Sequence, residues 1–157
     1  YGVLNGTQAF LSQIKENKGH IINVSSILGL IGMSTQSAYN AAKFAVAGFS
    51  EALRLEMLEH DVRVSTVFPG GVRTKIATRT RLPQDEDTKE SRSELQKGFN
   101  QMAFTPPMDA GKISVKGIEK ESPRILIGRD ALHIDIMRRL FPARYAKYLG
   151  LTRGLNT

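Results

Sequence analysis

Two short runs of β-branched residues, each stopped by a turn signal, stand on either side of one long helical pattern. That arrangement leaves few folds open. The first run, 20–26, reads HIINVSS, with Ile21, Ile22 and Val24 apolar. The second, 62–68, reads VRVSTVF and stops at Pro69-Gly70-Gly71. Runs of this length and composition are expected to be buried strands. Between them, Ala38, Ala41, Ala42, Ala45, Phe49, Ala52 and Leu53 share one face of a helix from 38 to about 60. Val46, Leu55, Met57 and Leu58 widen that face, so the helix is expected to be buried on more than one side. Strand, helix, strand makes a βαβ unit with parallel strands, which places the chain in the α/β class.

The rest of the chain extends this pattern. Val3, Leu4, Thr7, Phe10, Leu11 and Ile14 recur at helical spacing over 1–15. Asn17-Lys18-Gly19 ends that helix, with Gly19 expected as its left-handed cap. The helix pattern starts at Tyr1 without a cap, so the chain is expected to continue upstream. Residues 27–37 form a loop in which Ser34 or Thr35 is expected to cap the long helix. Residues 73–105 are polar, carry Asp85-Glu86-Asp87 and Pro83, and read as a mobile excursion with a helix at 91–101. A helix at 108–120, a third buried strand at 123–128 (PRILIG) and a helical tail at 132–148, broken near Pro142, complete the reading.

Composition excludes several function classes. The 157 residues are 41% hydrophobic and 24% charged, as expected of a globular domain rather than a disordered chain. There is no cysteine, which excludes disulfides and thiolate chemistry and fits a cytoplasmic protein. His20, His60 and His133 lack ligand spacing, so no metal site is expected. The net charge is +7, but the basic residues are scattered and lack the aromatic interleaving that stacks bases, so no nucleic acid is expected. No apolar run approaches the roughly 20 residues that span a bilayer, and, with no charged stretch followed by an apolar run at its start, no signal peptide is expected.

Chemistry concentrates at three places. Tyr39 and Lys43 lie four apart on the long helix, hence on one face, about one turn (~6 Å) apart. Alone, that pair is as readily a solvated helix face. Ser26, however, sits at the carboxyl end of the first strand, and P-G-G-V-R-T (69–74) at that of the second. In open α/β sheets the ligand crevice lies outside those strand ends, so all three can border one cleft.

N-V-S-S at 23–26, Y-N-A-A-K at 39–43 and P-G-G-V-R-T at 69–74 together resemble the matched motifs of the short-chain dehydrogenase/reductase family. The resemblance runs from Tyr1 to about Thr74, and PRILIG looks like the family's last strand. It implies the C-terminal part of a Rossmann-type doubly wound parallel sheet, three strands with flanking helices, the N-terminal strands being missing. Residues 1–128 would form that half-domain, 75–107 its variable substrate lid and 129–157 a helical tail. The implied activity is NAD(P)-dependent hydride transfer between an alcohol and a ketone or aldehyde.

The resemblance also assigns roles. Tyr39 is the acid/base; a free tyrosine titrates near ~10, and the Lys43 ammonium would favour its phenolate. Lys43 also binds the nicotinamide ribose, and Ser26 holds the substrate oxygen. Pro69 and Gly70 let the backbone approach the nicotinamide, the Val72 backbone pairs with its carboxamide, and the Thr74 hydroxyl adds to that. Ser25 is expected to be structural, and Arg73 solvated rather than on a phosphate. Asn5 is expected to be an ordinary helix residue, the family's helix asparagine falling just before Tyr1.

One family feature is missing. No glycine-rich turn that would cradle the cofactor pyrophosphate at a helix N-terminus is present, nor the residues that choose NAD over NADP. The isolated chain is therefore expected to bind cofactor poorly and to expose an apolar strand edge. An epimerase or dehydratase of the wider superfamily, or a truncated non-catalytic binding or assembly module, are the alternatives. Ile76, Leu82, Phe99, Met102 and Phe104 make the lid partly apolar, which leans towards a lipophilic substrate. The tail carries six basic and two acidic residues beside Leu132, Ile136, Leu140 and Phe141. Docking on its own domain or a subunit is favoured over peripheral membrane contact. The small-residue helix faces suit a homodimer or homotetramer, as the resemblance implies.

Overall fold

The computed structural model describes residues 1–79 and 88–151. Leu82, Pro83, the acidic run Asp85-Glu86-Asp87 and the last six residues of the tail lie outside them. Helix α1 (Gly2–Glu16) leads into strand β1 (His20–Val24), then helix α2 (Ser37–Glu56) and strand β2 (Arg63–Pro69). Helices α3 (Ile76–Arg79), α4 (Lys89–Met102) and α5 (Pro107–Glu119) follow, then strand β3 (Arg124–Ile127) and helices α6 (Arg129–Leu140) and α7 (Tyr145–Tyr148). The expected α/β class, strands and helices are present, and the break in the tail falls at 141–144.

The strands form one parallel sheet in the order β1-β2-β3. β1 pairs β2 from His20↔Arg63 to Val24↔Val67, and β2 pairs β3 from Thr66↔Arg124 to Pro69↔Ile127. Because side chains alternate along a strand, the sheet feeds two apolar clusters. Ile21, Val62 and Val64 pack with Leu53 and Met57, against Leu11, Ile14 and Phe49, which seats α1 and α2 on one face. Val67, Ile125 and Ile127 pack with Ala110, Val72 and Ile118, which seats α5 on the other. Each fully buried aliphatic side chain contributes about 1.5–3 kcal/mol. These clusters fix the register that brings the strand ends level.

Three local expectations are corrected. At the end of α1 the left-handed residue is Lys18 (φ 47°), not Gly19. The amides of Lys18 and Gly19 return to Lys15 O and Ile14 O, which closes the helix with the two bonds of a Schellman motif. Gly19 is instead constrained by space, since a Cβ there would press on Ile14. At the start of α2 neither Ser34 nor Thr35 caps the helix; Gln36 holds the cap position without a side-chain bond. Helix α2 is also buried along one side only, through Asn40, Ser50 and Leu53. Ala38, Ala41, Ala42, Ala45 and Ala52, with Phe44 and Leu55, face outward.

A buried polar tether joins the amino-terminal ends of the strands, opposite the cleft. Ser65, fully buried, donates its single hydroxyl proton to Ser122 O (2.7 Å). His20 Nε2, 2.7 Å from Ser65 Oγ, must then be the donor to it, so the proton sits on Nε2. Burial, and secondarily the Arg63 charge, hold the His20 pKa below its ordinary 6.5, partly opposed by Glu121.

Candidate active site

The carboxyl ends of all three strands open on one cavity of about 550 Å³. Ser26, Tyr39, Lys43, Pro69, Gly70, Val72 and Thr74, the residues singled out from sequence, all line it. The parallel βαβ crossover explains the convergence. It returns the chain to the same end of the sheet, so residues leaving β1 and β2 become neighbours, and the first turns of α2 reach over them.

The two serines after β1 do different work. Ser25 is buried and donates to Lys43 O (2.8 Å), while its amide bonds Val67 O. It locks β1 to β2 and to α2, as expected of a structural residue. Gly29 makes this possible, because a Cβ there would overlap Ser25 Oγ and the Lys43 carbonyl. Ser26 is extended (φ −168°) and accepts the Leu28 amide on Oγ (3.1 Å). That contact uses a lone pair, so the hydroxyl proton is left without an acceptor among the described residues. Tyr39 is 41% exposed. The Lys43 ammonium lies 5.6 Å from its ring centroid and gives one hydrogen bond to Val24 O (3.2 Å). Two ammonium donors then remain without an acceptor among the described residues.

The turn after β2 is held by backbone. Gly70 N bonds Ile127 O (2.9 Å) at the end of β3. Val72 and Thr105 form a parallel bridge in which Thr105 N donates to Gly71 O (3.0 Å) and Arg73 N to Thr105 O (2.9 Å). In that pattern Val72 contributes neither of its own polar groups. Its N–H and C=O take no partner among the described residues, on a residue that lines the cavity. A carboxamide, with one acceptor and one donor set, is the complement of such a free N–H and C=O. Two ammonium donors on Lys43 suit a vicinal diol. The residues present thus fit the nicotinamide-ribose half of a dinucleotide. Gly71 is required for the strap at 103–105 to approach, since a Cβ there would overlap Met102 O.

Leu28, Met33, Ile76, Phe99 and Met102 supply apolar wall to the cavity. Phe104 does not; it lines a separate surface hollow with Leu132. Arg73 is exposed, as expected, but not wholly given to solvent: its Nε donates to Ala103 O (2.9 Å) and ties down the strap. Asn5 is an exposed helix residue, as expected.

The sequence reading missed Asn40. Its side chain donates to Leu28 O (2.7 Å) and Ile31 O (2.8 Å) and accepts from Met33 N (3.1 Å), which sews the 28–33 loop to α2 beside Tyr39. An asparagine inside a helix is a poor helix former, and that was the available signal. Asp130 was missed too, and its first-turn position in α6 reads as an ordinary helix-dipole residue.

The chain belongs to the short chain dehydrogenase family, whose model matches residues 1–85. SadH of Mycobacterium tuberculosis, assigned as an oxidoreductase, is 41% identical over 150 residues, which cover 94% of this chain and 53% of that protein. The 3-ketodihydrosphingosine reductase of Bacteroides thetaiotaomicron is 40% identical over 96 residues, 58% of this chain and 36% of that one. The NADPH-dependent 1-acyldihydroxyacetone phosphate reductase of Schizosaccharomyces pombe is 38% identical over 79 residues, 50% of this chain and 27% of that one. The chain spans about half the length of SadH and less of the others.

Solved structures agree on the fold. A short chain dehydrogenase from Burkholderia cenocepacia in complex with NADP superposes with a TM-score of 0.73 at 24% identity, over 94% of this chain and 54% of that one. A relative from Burkholderia phymatum in complex with NAD gives 0.72 at 22%, over 95% and 56%. Among the described residues no helix is long and apolar enough to cross a membrane.

Proposed function

We propose that the protein carrying this chain is an NAD(P)-dependent oxidoreductase that interconverts an alcohol and a ketone or aldehyde, with residues 1–128 as the nicotinamide-side half of its Rossmann-type sheet. The observation that carries this reading is the convergence of Ser26, Tyr39, Lys43 and the 69–74 turn on one cavity, with the Val72 backbone unpaired among the described residues. A bound NAD or NADP would supply or accept the hydride at the substrate carbon. The chain's own residues handle the oxygen. Tyr39 Oη gives a proton to the carbonyl oxygen in reduction and takes it from the alcohol in oxidation. The Ser26 hydroxyl, its lone pair already engaged by Leu28 N, points its proton at that same oxygen and orients it. Lys43 keeps a positive charge beside the Tyr39 ring and offers two donors to the ribose diol. Val72 grips the carboxamide through its backbone, and Thr74, whose Oγ accepts the Ile76 amide at 3.4 Å, offers its hydroxyl proton alongside.

The substrate class leans lipophilic. The Leu28, Met33, Ile76, Phe99 and Met102 wall favours an apolar chain or ring near the reacting carbon. The names of the relatives that reduce 3-ketodihydrosphingosine and 1-acyldihydroxyacetone phosphate point the same way. A homodimer or homotetramer is proposed from the outward apolar residues of α1 and α2, Leu4, Phe10, Phe44 and Leu55. The test is oxidation of NADH and NADPH by the full-length protein over a panel of ketones and aldehydes of increasing chain length. Turnover that rises with apolar length supports the reading; no turnover with either cofactor over the whole panel overturns it.

A further inference from the structure

Among the described residues, every hydrogen bond made by the backbone of the 69–73 turn goes to backbone except one. Gly71 N, 2.6 Å from Asp130 Oδ2, donates to that carboxylate from the start of α6, fifty-nine residues away in sequence. The surroundings are cut to fit this side chain. A Cβ on Gly70 would overlap both Asp130 carboxylate oxygens, and a Cβ on Gly128 would overlap Oδ1. Gly128 also has φ +97°, a left-handed conformation that costs a non-glycine residue energy. That conformation turns the chain from β3 into α6 so that Asp130 sits beneath the turn. Asp130 lines both the cavity and the hollow behind it. Its Oδ1 is buried with no hydrogen-bond partner among the described residues. A buried acceptor left unpaired is uncommon, and a single strong bond through Oδ2 is then what holds the group.

Resting on the reading above, we infer that Asp130 is a positioning residue for the nicotinamide. It anchors Gly71, and Gly71 is the hinge whose carbonyl and following residue set the direction of the free Val72 N–H and C=O. A charged acceptor makes a shorter and stronger bond than a neutral one, which suits a turn with no helix or strand of its own to stiffen it. Without it Gly71 N is left unsatisfied and the turn is pinned only at Gly70 and by the Thr105 strap. Loss would therefore fall on the nicotinamide end of the cofactor and spare the adenosine end. A carboxylate that served only the α6 helix dipole would change stability alone.

The test uses the full-length protein and two probes: reduced cofactor followed by fluorescence, and ADP-ribose, or its 2′-phosphate, followed by calorimetry. Asp130→Ala is expected to weaken reduced cofactor by about tenfold, the worth of one charge-assisted bond, and to leave the ADP-ribose probe within about twofold. Asp130→Asn keeps an acceptor for Gly71 N but not its charge and is expected to recover part of the affinity. If Asp130→Ala does not fold, Asp130→Ser, whose hydroxyl falls short of Gly71, carries the same expectation. Unchanged cofactor affinity, or an equal loss for ADP-ribose, overturns the inference. Wild-type protein that binds neither NADH nor NADPH overturns the functional reading itself, and the inference with it.

Discussion

Asn40 offers a worked test of how the cavity wall is built. Its side chain makes three hydrogen bonds, at 2.7, 2.8 and 3.1 Å, to backbone groups of the 28–33 loop. The residue is buried, so water replaces these partners poorly in Asn40→Ala. At about 1 kcal/mol net for each bond, the loss comes to about 3 kcal/mol. That corresponds to a fall in Tm of roughly 6–12 °C for a domain of this size. Denaturant unfolding should show a lower midpoint with an unchanged m value, since the surface exposed on unfolding is the same. Because the loop carries Leu28 and Met33 to the cavity, KM for the organic substrate should rise more than KM for cofactor. Asn40→Asp separates hydrogen bonding from packing. It keeps the shape and the acceptor for Met33 N but sets a carboxylate oxygen against two carbonyl oxygens. It should cost at least as much as alanine near neutral pH and less in acid, where a protonated carboxyl regains one donor. An Asn40→Ala unfolding free energy within about 0.5 kcal/mol of wild type, or an aspartate tolerated at neutral pH, would refute the reasoning.

The His20 pKa is held down by burial and by Arg63, so the folded protein resists a proton that the unfolded chain accepts. Stability from this site is complete above the unfolded value near 6.5 and is lost as pH falls through the folded one. Wild type should therefore weaken as pH falls below the unfolded value near 6.5, and His20→Gln should show a flatter profile; parallel profiles would contradict this. Gly29→Ala forces a methyl group onto Ser25 Oγ and the Lys43 carbonyl and should cost about 1–3 kcal/mol in chemical unfolding, with Lys43 displaced. The 157-residue chain alone should bind NADH or NADPH too weakly for calorimetry at micromolar concentration, and measurable heat there would contradict that expectation. In the same chain Ile22 and Val24 are exposed on an edge strand, so Ile22→Lys should reduce light scattering on concentration.

Periodicity carried the fold because burial in a parallel sheet demands continuous β-branched runs, and these stand out at 21–24 and 62–68. The side chains proposed to react stood out for a related reason: the chemistry proposed for them restricts residue type at fixed offsets along one helix and at strand ends. What escaped depends on partners far away in sequence. Asp130 meets Gly71 only after β3 is laid beside β2, and Asn40 meets Leu28, Ile31 and Met33 only after the loop folds back on α2. The caps failed for a local reason. Lys18 takes the left-handed turn although Gly19 is adjacent, because Gly19 is needed where space against Ile14 is short. The alanine stripe of α2 reads as interior by hydrophobicity, yet it faces outward. Alanine is nearly as compatible with an exposed helix face as with a core, so pattern alone cannot separate the two.

The central claim is that Tyr39 moves the proton while the turn and Lys43 hold the cofactor. The direct measurement is Tyr39→Phe in the full-length protein, with turnover and reduced-cofactor binding read on the same preparation. Removing one hydroxyl should lower kcat by a factor on the order of 10²–10⁴ and leave cofactor affinity unchanged. A Tyr39→Phe protein that binds cofactor normally and keeps most of its rate would contradict the account.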